Sequence, residues 1–298
     1  MKKWDIGQWV NHFVEYLQEN HGAAFDWFGG LINGFSGTVE QLLMWPPAWL
    51  MVTLFALLAL WRVGAGFALF TAAALSTIVL TEFWPQTVVT LGLTFSSTLI
   101  SLLLGIPLGI WAGRSERVAT VIRPMLDFMQ TMPAFVYLIP AAMFFGLGRV
   151  PGIIATVVFA MPPAVRLTSL GIRQVNKEIV EAGQSFGCNA LQLLMKVQLP
   201  NALPSIMAGV NQTLMMALSM VIIASMVGAG GLGNEVLASI QRLDVGLGFE
   251  SGMAVVLLAI ILDRITESFG TPQPGGSFFS RLFSRMQSAP SPAQSSHS

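Results

Sequence analysis

The sequence is poor in charge. Only 10% of its 298 residues are Asp, Glu, Lys or Arg, whereas soluble domains carry about 25%. So few charges cannot clothe a globular surface in water. With 54% hydrophobic residues and a mean hydropathy of +0.68, the main solvent is lipid. The 15 basic and 15 acidic residues cancel, so no bulk attraction to nucleic acid is implied. A single cysteine, Cys188, excludes an internal disulfide and a cysteine-rich metal site. His12, His21 and His297 all fall in the terminal segments, leaving no spanning histidine to activate a serine, so an intramembrane enzyme has no support. There is no Gly-Lys dipeptide and hence no phosphate-cradling loop of the Walker A kind. The glycine-rich run Gly228-Ala229-Gly230-Gly231-Leu232-Gly233 lacks the lysine and is expected to be a tight turn or re-entrant loop. The first 20 residues lack the continuous apolar core of a cleavable signal peptide and are read as mature protein.

What the chain does have is long apolar runs. A helix crosses the hydrocarbon core in about 20 residues. Five runs qualify, at roughly 86–112, 132–148, 150–170, 206–228 and 251–269. A further region is broken by Trp61-Arg62 and Gly64-Ala65-Gly66 and is read as two spans, about 47–61 and 64–81. The expected fold class is an all-α polytopic membrane protein with about seven transmembrane helices. The permease domain covers 47–270, between an outer or interfacial tail (1–46) and a disordered inner tail (271–298) rich in Ser, Pro and Gly. Eleven of the 15 basic residues, Arg114, Arg173 and Lys177 among them, fall on one side. That side is expected to be cytoplasmic, with the N-terminus outside and the C-terminus inside.

Within the first 45 residues two apolar sets recur at helical spacing: Ile6, Trp9, Val10, Phe13 and Leu17, then Phe25, Phe28, Ile32, Phe35, Val39 and Leu42. Each suits a helix lying in the membrane interface or packed on the bundle. Gly105, Gly109 and Gly113 share one helix face, as close helix packing or a dimer seam requires. Asn211, Gln212 and Thr213 are intramembrane polar groups that either line a pathway or bond neighbouring helices. Phe135, Tyr137, Phe144, Phe145 and Phe159 are aromatic faces that could attract a cation. Arg264 and Glu267 are spaced to pair on one helix face.

Between the spans ending near 170 and starting near 206 lies a polar insert. It reads as a helix through Ile179, Ala182 and Phe186, a turn at Gly187-Cys188-Asn189, and a second helix ending at Pro200. The expected product is a short helix-turn-helix knob within about 171–205.

This segment resembles the EAA signature of ATP-binding-cassette importer permeases: Glu-Ala-Ala, three residues, Gly, nine residues, Ile, one residue, Leu-Pro. Here it is Glu181-Ala182-Gly183, Gly187, Val197, Leu199 and Pro200, with the spacing intact. Gly183 replaces the third-position Ala and Val197 replaces Ile. The glycine should soften the first helix by up to about 1 kcal/mol. The stretches LPNALPSIMAGVNQTLMMALSMVIIASMVGAGGLG, PLGIWAGRSER and IRPMLDFMQTMPAFVYLIP are similar to the permease subunit of glycine betaine/proline betaine importers, a likeness covering roughly 86–269.

The resemblance implies a non-catalytic translocation subunit in a bacterial inner membrane, working by alternating access. It further implies two copies of an ATPase subunit that carry the ATP and Mg, an extracytoplasmic binding protein, a second copy of this chain, and no cofactor bound here. Choline, carnitine or proline are alternative cargoes. An ion-coupled secondary transporter is the alternative of a different class, and it would need no cytoplasmic partner.

Overall fold

The computed structural model describes residues 6–270. The expected tail from Thr271 lies outside the described residues. The architecture is helical: α1 (Ile6–Met44), α2 (Ala48–Arg62), α3 (Ala65–Leu80), α4 (Trp84–Arg114), α5 (Glu116–Thr131), α6 (Ala134–Phe145), α7 (Arg149–Arg173), α8 (Lys177–Ser185), α9 (Ala190–Leu193), α10 (Leu199–Ala224), α11 (Leu232–Arg242) and α12 (Val245–Gly270). A π turn (Leu194–Gln198) joins α9 to α10, and a 3-10 turn (Ser225–Val227) ends α10.

Each of the seven apolar runs is helical, but they differ in reach. Among the described residues four helices are long and apolar enough to cross a membrane: Trp84–Arg114, Arg149–Arg173, Ala190–Val227 and Val245–Gly270. The number rises to six if each of two bent pairs counts as one span, and α3 is a shorter apolar helix. The expected span at 132–148 is one of the departures. Its helix, α6, has only 12 residues and meets α5 at 93°. The cause is Pro133, which offers no N–H to continue α5 and holds Met132 extended (φ −74°, ψ 138°). The Tyr137 hydroxyl folds back and donates to the Met129 carbonyl, the acceptor that Pro133 leaves without its helical N–H, with the Phe128 and Met132 carbonyls farther off at 3.4 Å. At the other bend, Pro46-Pro47 turns α1 into α2 at 92°.

α7 is clamped between α4 and α10 by glycines. A Cβ at Gly105 would meet Ala164 Cβ at 3.0 Å, at Gly109 Thr168 Cβ at 2.7 Å, and at Gly113 Ile172 Cβ at 3.1 Å. The three-glycine stripe is therefore the α4–α7 seam inside one chain. Its absent side chains let the backbones approach, which in lipid supplies packing that the hydrophobic effect cannot. On the opposite side of α7, Gly171 faces Ala202 and Ser205, while Gly209 of α10 faces Pro163 and Leu167. A second apolar layer joins α2, α3, α10 and α12 through Phe55, Ala59, Leu75, Ile78, Leu214, Leu258 and Ile261.

The N-terminal segment, Ile6–Met44, is two helices that meet at a kink at His21, whose backbone is not helical (φ −129°, ψ 16°). Its C-terminal part packs on the bundle. Ile32 and Ser36 are buried, and Glu40, only 8% exposed, pairs with Arg149 at 2.7 Å beside Gly92 of α4. Phe28 and Leu42, expected on the same face as Ile32, are exposed.

Candidate functional site

The polar insert forms a compact hairpin at the Arg114–Arg173 end of the bundle. Asn176 caps α8, its side chain accepting from Glu178 N–H at 2.9 Å. The first helix stops at Gly187, whose φ of +80° is left-handed. Cys188 N–H donates to the Gly183 carbonyl (3.1 Å) and Gly187 N–H to that of Gln184 (2.9 Å). These two bonds define a Schellman stop and explain the glycine of the signature. Asn189 then opens the second helix with a reciprocal capping box, Gln192 N–H to Asn189 Oδ1 at 2.8 Å and Asn189 N–H to Gln192 Oε1 at 2.9 Å.

Gly183 has a role the sequence did not suggest. A Cβ there would meet Leu193 Cδ1 at 2.9 Å and Val197 Cγ2 at 3.4 Å. The glycine lets the two helices of the knob close on each other, offsetting the softening expected from its low helix propensity. Pro200, in the first turn of α10, cannot donate to the Lys196 carbonyl. The backbone widens just before it into the π turn, where Leu199 N–H reaches the Leu194 carbonyl. Leu194 is buried with Ile172, Ala202 and Ile206, and Leu199 packs against the same group. The knob is thus packed onto the ends of α7 and α10.

The outward side of the knob carries apolar residues: Phe186 (89% exposed), Leu191 (63%), Met195 and Ile179. Sequence patterning counted these among the helix-forming positions without separating the buried ones from the ridge. Their sign in the sequence is their persistence as large apolar groups in a segment otherwise made for water. Ala182 is exposed as well. Glu181 lines a cavity of about 640 Å³ between the knob and the helix ends, with Arg114, Arg173 and Lys177 on its walls. Among the described residues Glu181 forms no salt bridge. Arg173 is fixed instead by Glu116 and by the Ala112 carbonyl (2.6 Å), and Arg123 stands 3.6 Å from Glu116. The hydrogen bond from Arg173 holds the Glu116 carboxyl below the ordinary carboxylate range, with the charges of Arg173 and Arg123 adding to it.

The remaining expected site residues do not converge. Asn211 Nδ2 donates to Asp263 Oδ1 at 2.9 Å, tying α10 to α12. Thr213 is buried, and Gln212 alone of the three is exposed. Tyr137 serves the α5–α6 corner, while Phe144 stacks on Phe25 of α1 (centroids 4.8 Å apart). Arg264 pairs with Glu267 at 3.1 Å. At the opposite end of the bundle the glycine-rich run is a turn, with positive φ at Gly228, Gly230 and Gly231. Its polar groups are consumed internally: Leu232 N–H donates to Thr90 Oγ1 and the Ser225 hydroxyl to the Gly230 carbonyl, both at 2.8 Å.

The chain is a long-helix bundle clamped by glycines that bears a two-helix knob at one end. Residues 105–270 match the family described as "Binding-protein-dependent transport system inner membrane component", and the chain belongs to that family. It is 52% identical over 270 residues to the glycine betaine/proline betaine transport system permease protein ProW of Escherichia coli, covering 89% of this chain and 75% of that relative. It is 47% identical to the glycine betaine/carnitine transport permease protein GbuB of Listeria monocytogenes (89% and 95%), and 46% identical to the glycine betaine transport system permease protein OpuAB of Bacillus subtilis (87% and 92%). The fold is also that of the inward-facing MetNI methionine ABC transporter, with a TM-score of 0.54 at 21% identity, covering 62% of this chain and 94% of that one. An amino acid ABC transporter gives 0.52 at 20% identity (71% and 97%).

Proposed function

We propose that this chain is the permease subunit of an ATP-driven importer for glycine betaine, proline betaine and related osmoprotectants. The observation that carries the coupling mechanism is the knob: a capped, Schellman-closed hairpin anchored to α7 and α10, with an exposed apolar ridge and a carboxylate that has no salt bridge among the described residues. An apolar ridge seats in a partner's groove and a charge fixes its register. Glu181 sets that register, Ala182 lies on the contact surface, and Gly183 and Gly187 allow the hairpin to close. Val197 packs against Gly183 inside the knob, Leu199 packs the knob to the spans, and Pro200 forces the π turn before it.

ATP hydrolysis belongs to separate subunits, two of which require two knobs and therefore two copies of this chain. The knob end, with Arg114, Arg173 and Lys177, faces the cytoplasm in accord with the positive-inside rule. The N-terminus is then outside, the C-terminus inside, and the binding protein meets the opposite end. Cargo passes between the copies as closure of the ATPases rocks the spans. Of Asn211, Gln212 and Thr213, Gln212 is the one left open to such a path. Carnitine is the second cargo to consider, because GbuB is named for glycine betaine and carnitine.

Substitution of Glu181 by lysine tests the coupling directly. Insertion into the membrane is expected to be normal, while uptake driven by ATP is lost. Unchanged uptake would overturn the coupling role of the knob.

A further inference from the structure

At the end of the bundle opposite the knob, a cavity of about 380 Å³ lies between α1 and the α6–α7 turn. Three phenylalanine rings line it. Phe25 stacks on Phe144 at 4.8 Å, and Phe145 stands nearly perpendicular to Phe25 (84°) with centroids 5.7 Å apart. The rings thus occupy two planes around one space. Gly29 makes this arrangement possible, since a Cβ there would press on Phe145 Cδ1 at 3.2 Å. Asp26 and Asn33 line the same cavity. Among the described residues neither arginine nor lysine lines the cavity and Asp26 forms no salt bridge.

Aromatic faces attract a cation through the negative face of the ring, and they suit best a cation with no N–H to donate. The Asp26 carboxylate, without a salt bridge among the described residues, adds charge complementarity. We infer that this cavity is a low-affinity binding site for a methylated quaternary ammonium group, with the Asn33 amide available to the ligand's polar end. The site uses α1, outside the matched family region of 105–270. The inference rests on the importer reading for its biological cargo, but its chemistry can be tested separately. Choline, with net charge +1, should bind more tightly than zwitterionic glycine betaine, whose carboxylate Asp26 repels.

The test uses the full chain with its ATPase subunit in nanodiscs free of choline lipids, without binding protein. Equilibrium dialysis with radiolabelled choline and glycine betaine reads the binding. Phe145→Leu is expected to weaken both ligands about threefold to fivefold. Asp26→Asn is expected to weaken choline by a similar factor while leaving betaine unchanged or improved. The neutral isostere 3,3-dimethylbutanol should compete poorly. Absence of binding, equal competition by the isostere, or indifference to both substitutions would overturn the inference. Displacement of choline by phosphatidylcholine built into the disc would make a lipid headgroup the occupant and overturn the assignment to cargo. Uptake with ATP and binding protein, measured on the same preparations, separates the two readings. Betaine uptake without binding at this cavity sinks only the site, whereas binding without uptake of any compatible solute sinks only the importer reading.

Discussion

Replacing Gly187 by alanine isolates the cost of the knob's turn. At φ +80° no atom lies within 4 Å of a Cβ built on this residue, so the change adds no steric clash. The penalty is the backbone term alone, about 1–2 kcal/mol for a side chain held in the left-handed region. If the docked complex needs the closed Schellman turn, that amount is drawn from docking and weakens it by about fivefold to thirtyfold. Asparagine tolerates the left-handed region, so Gly187→Asn should recover much of the loss. A β-branched residue suffers most there, so Gly187→Val should lose more than alanine. The assay is titration of the fluorescently labelled ATPase subunit against the permease in nanodiscs, with betaine uptake measured in parallel. The expected order is Gly, Asn, Ala, Val. Equal docking by glycine and alanine variants, or valine no weaker than asparagine, would refute the role assigned to the turn.

Gly109→Ala puts a methyl 2.7 Å from Thr168 Cβ and 2.8 Å from the Val165 carbonyl. It should destabilise the bundle by about 1–3 kcal/mol, more than Gly105→Ala or Gly113→Ala, as read from detergent melting temperatures. Glu40→Ala leaves Arg149 without its partner at the α1–α7 contact. Because Arg149 is one-third exposed, a loss of about 1–2 kcal/mol is expected, and the charge-swapped pair Glu40→Arg with Arg149→Glu should restore part of it in the same melting assay. Tyr137→Phe keeps the ring but removes the donor to the α5 carbonyls. It should cost about 1 kcal/mol of stability and leave the KM for uptake unchanged; a raised KM would return Tyr137 to the translocation path.

Much of this molecule is legible in its residues, because lipid makes apolar runs and charge asymmetry strong signals. The seven apolar segments, the polar insert and the turns at Gly187 and Gly228–Gly231 follow from hydropathy and from residues suited to left-handed backbone. Other features depend on which partner a side chain finds. Pro133 announces a break, but at the 93° corner it is Tyr137 that donates to the Met129 carbonyl that the break frees. The stripe Gly105-Gly109-Gly113 announces close packing without saying against what, and the answer is α7 of the same chain. Asn211 could have faced a pathway or a helix, and only the approach of Asp263 decides it. Gly183 looked like a weakness because helix propensity is a local quantity, whereas its contact with Leu193 and Val197 is tertiary. Phe186 and Phe25 read as ordinary apolar positions because periodicity does not reveal which face of a knob, or which face of the N-terminal segment, will stay open.

The central claim is that this chain moves a compatible solute only when partner subunits act on its knob. The direct measurement is uptake of radiolabelled glycine betaine into vesicles containing the chain with its cognate ATPase and binding protein. The account predicts accumulation that requires ATP and vanishes when either partner is omitted. Uptake by the chain alone, driven by an ion gradient and indifferent to ATP, would contradict it.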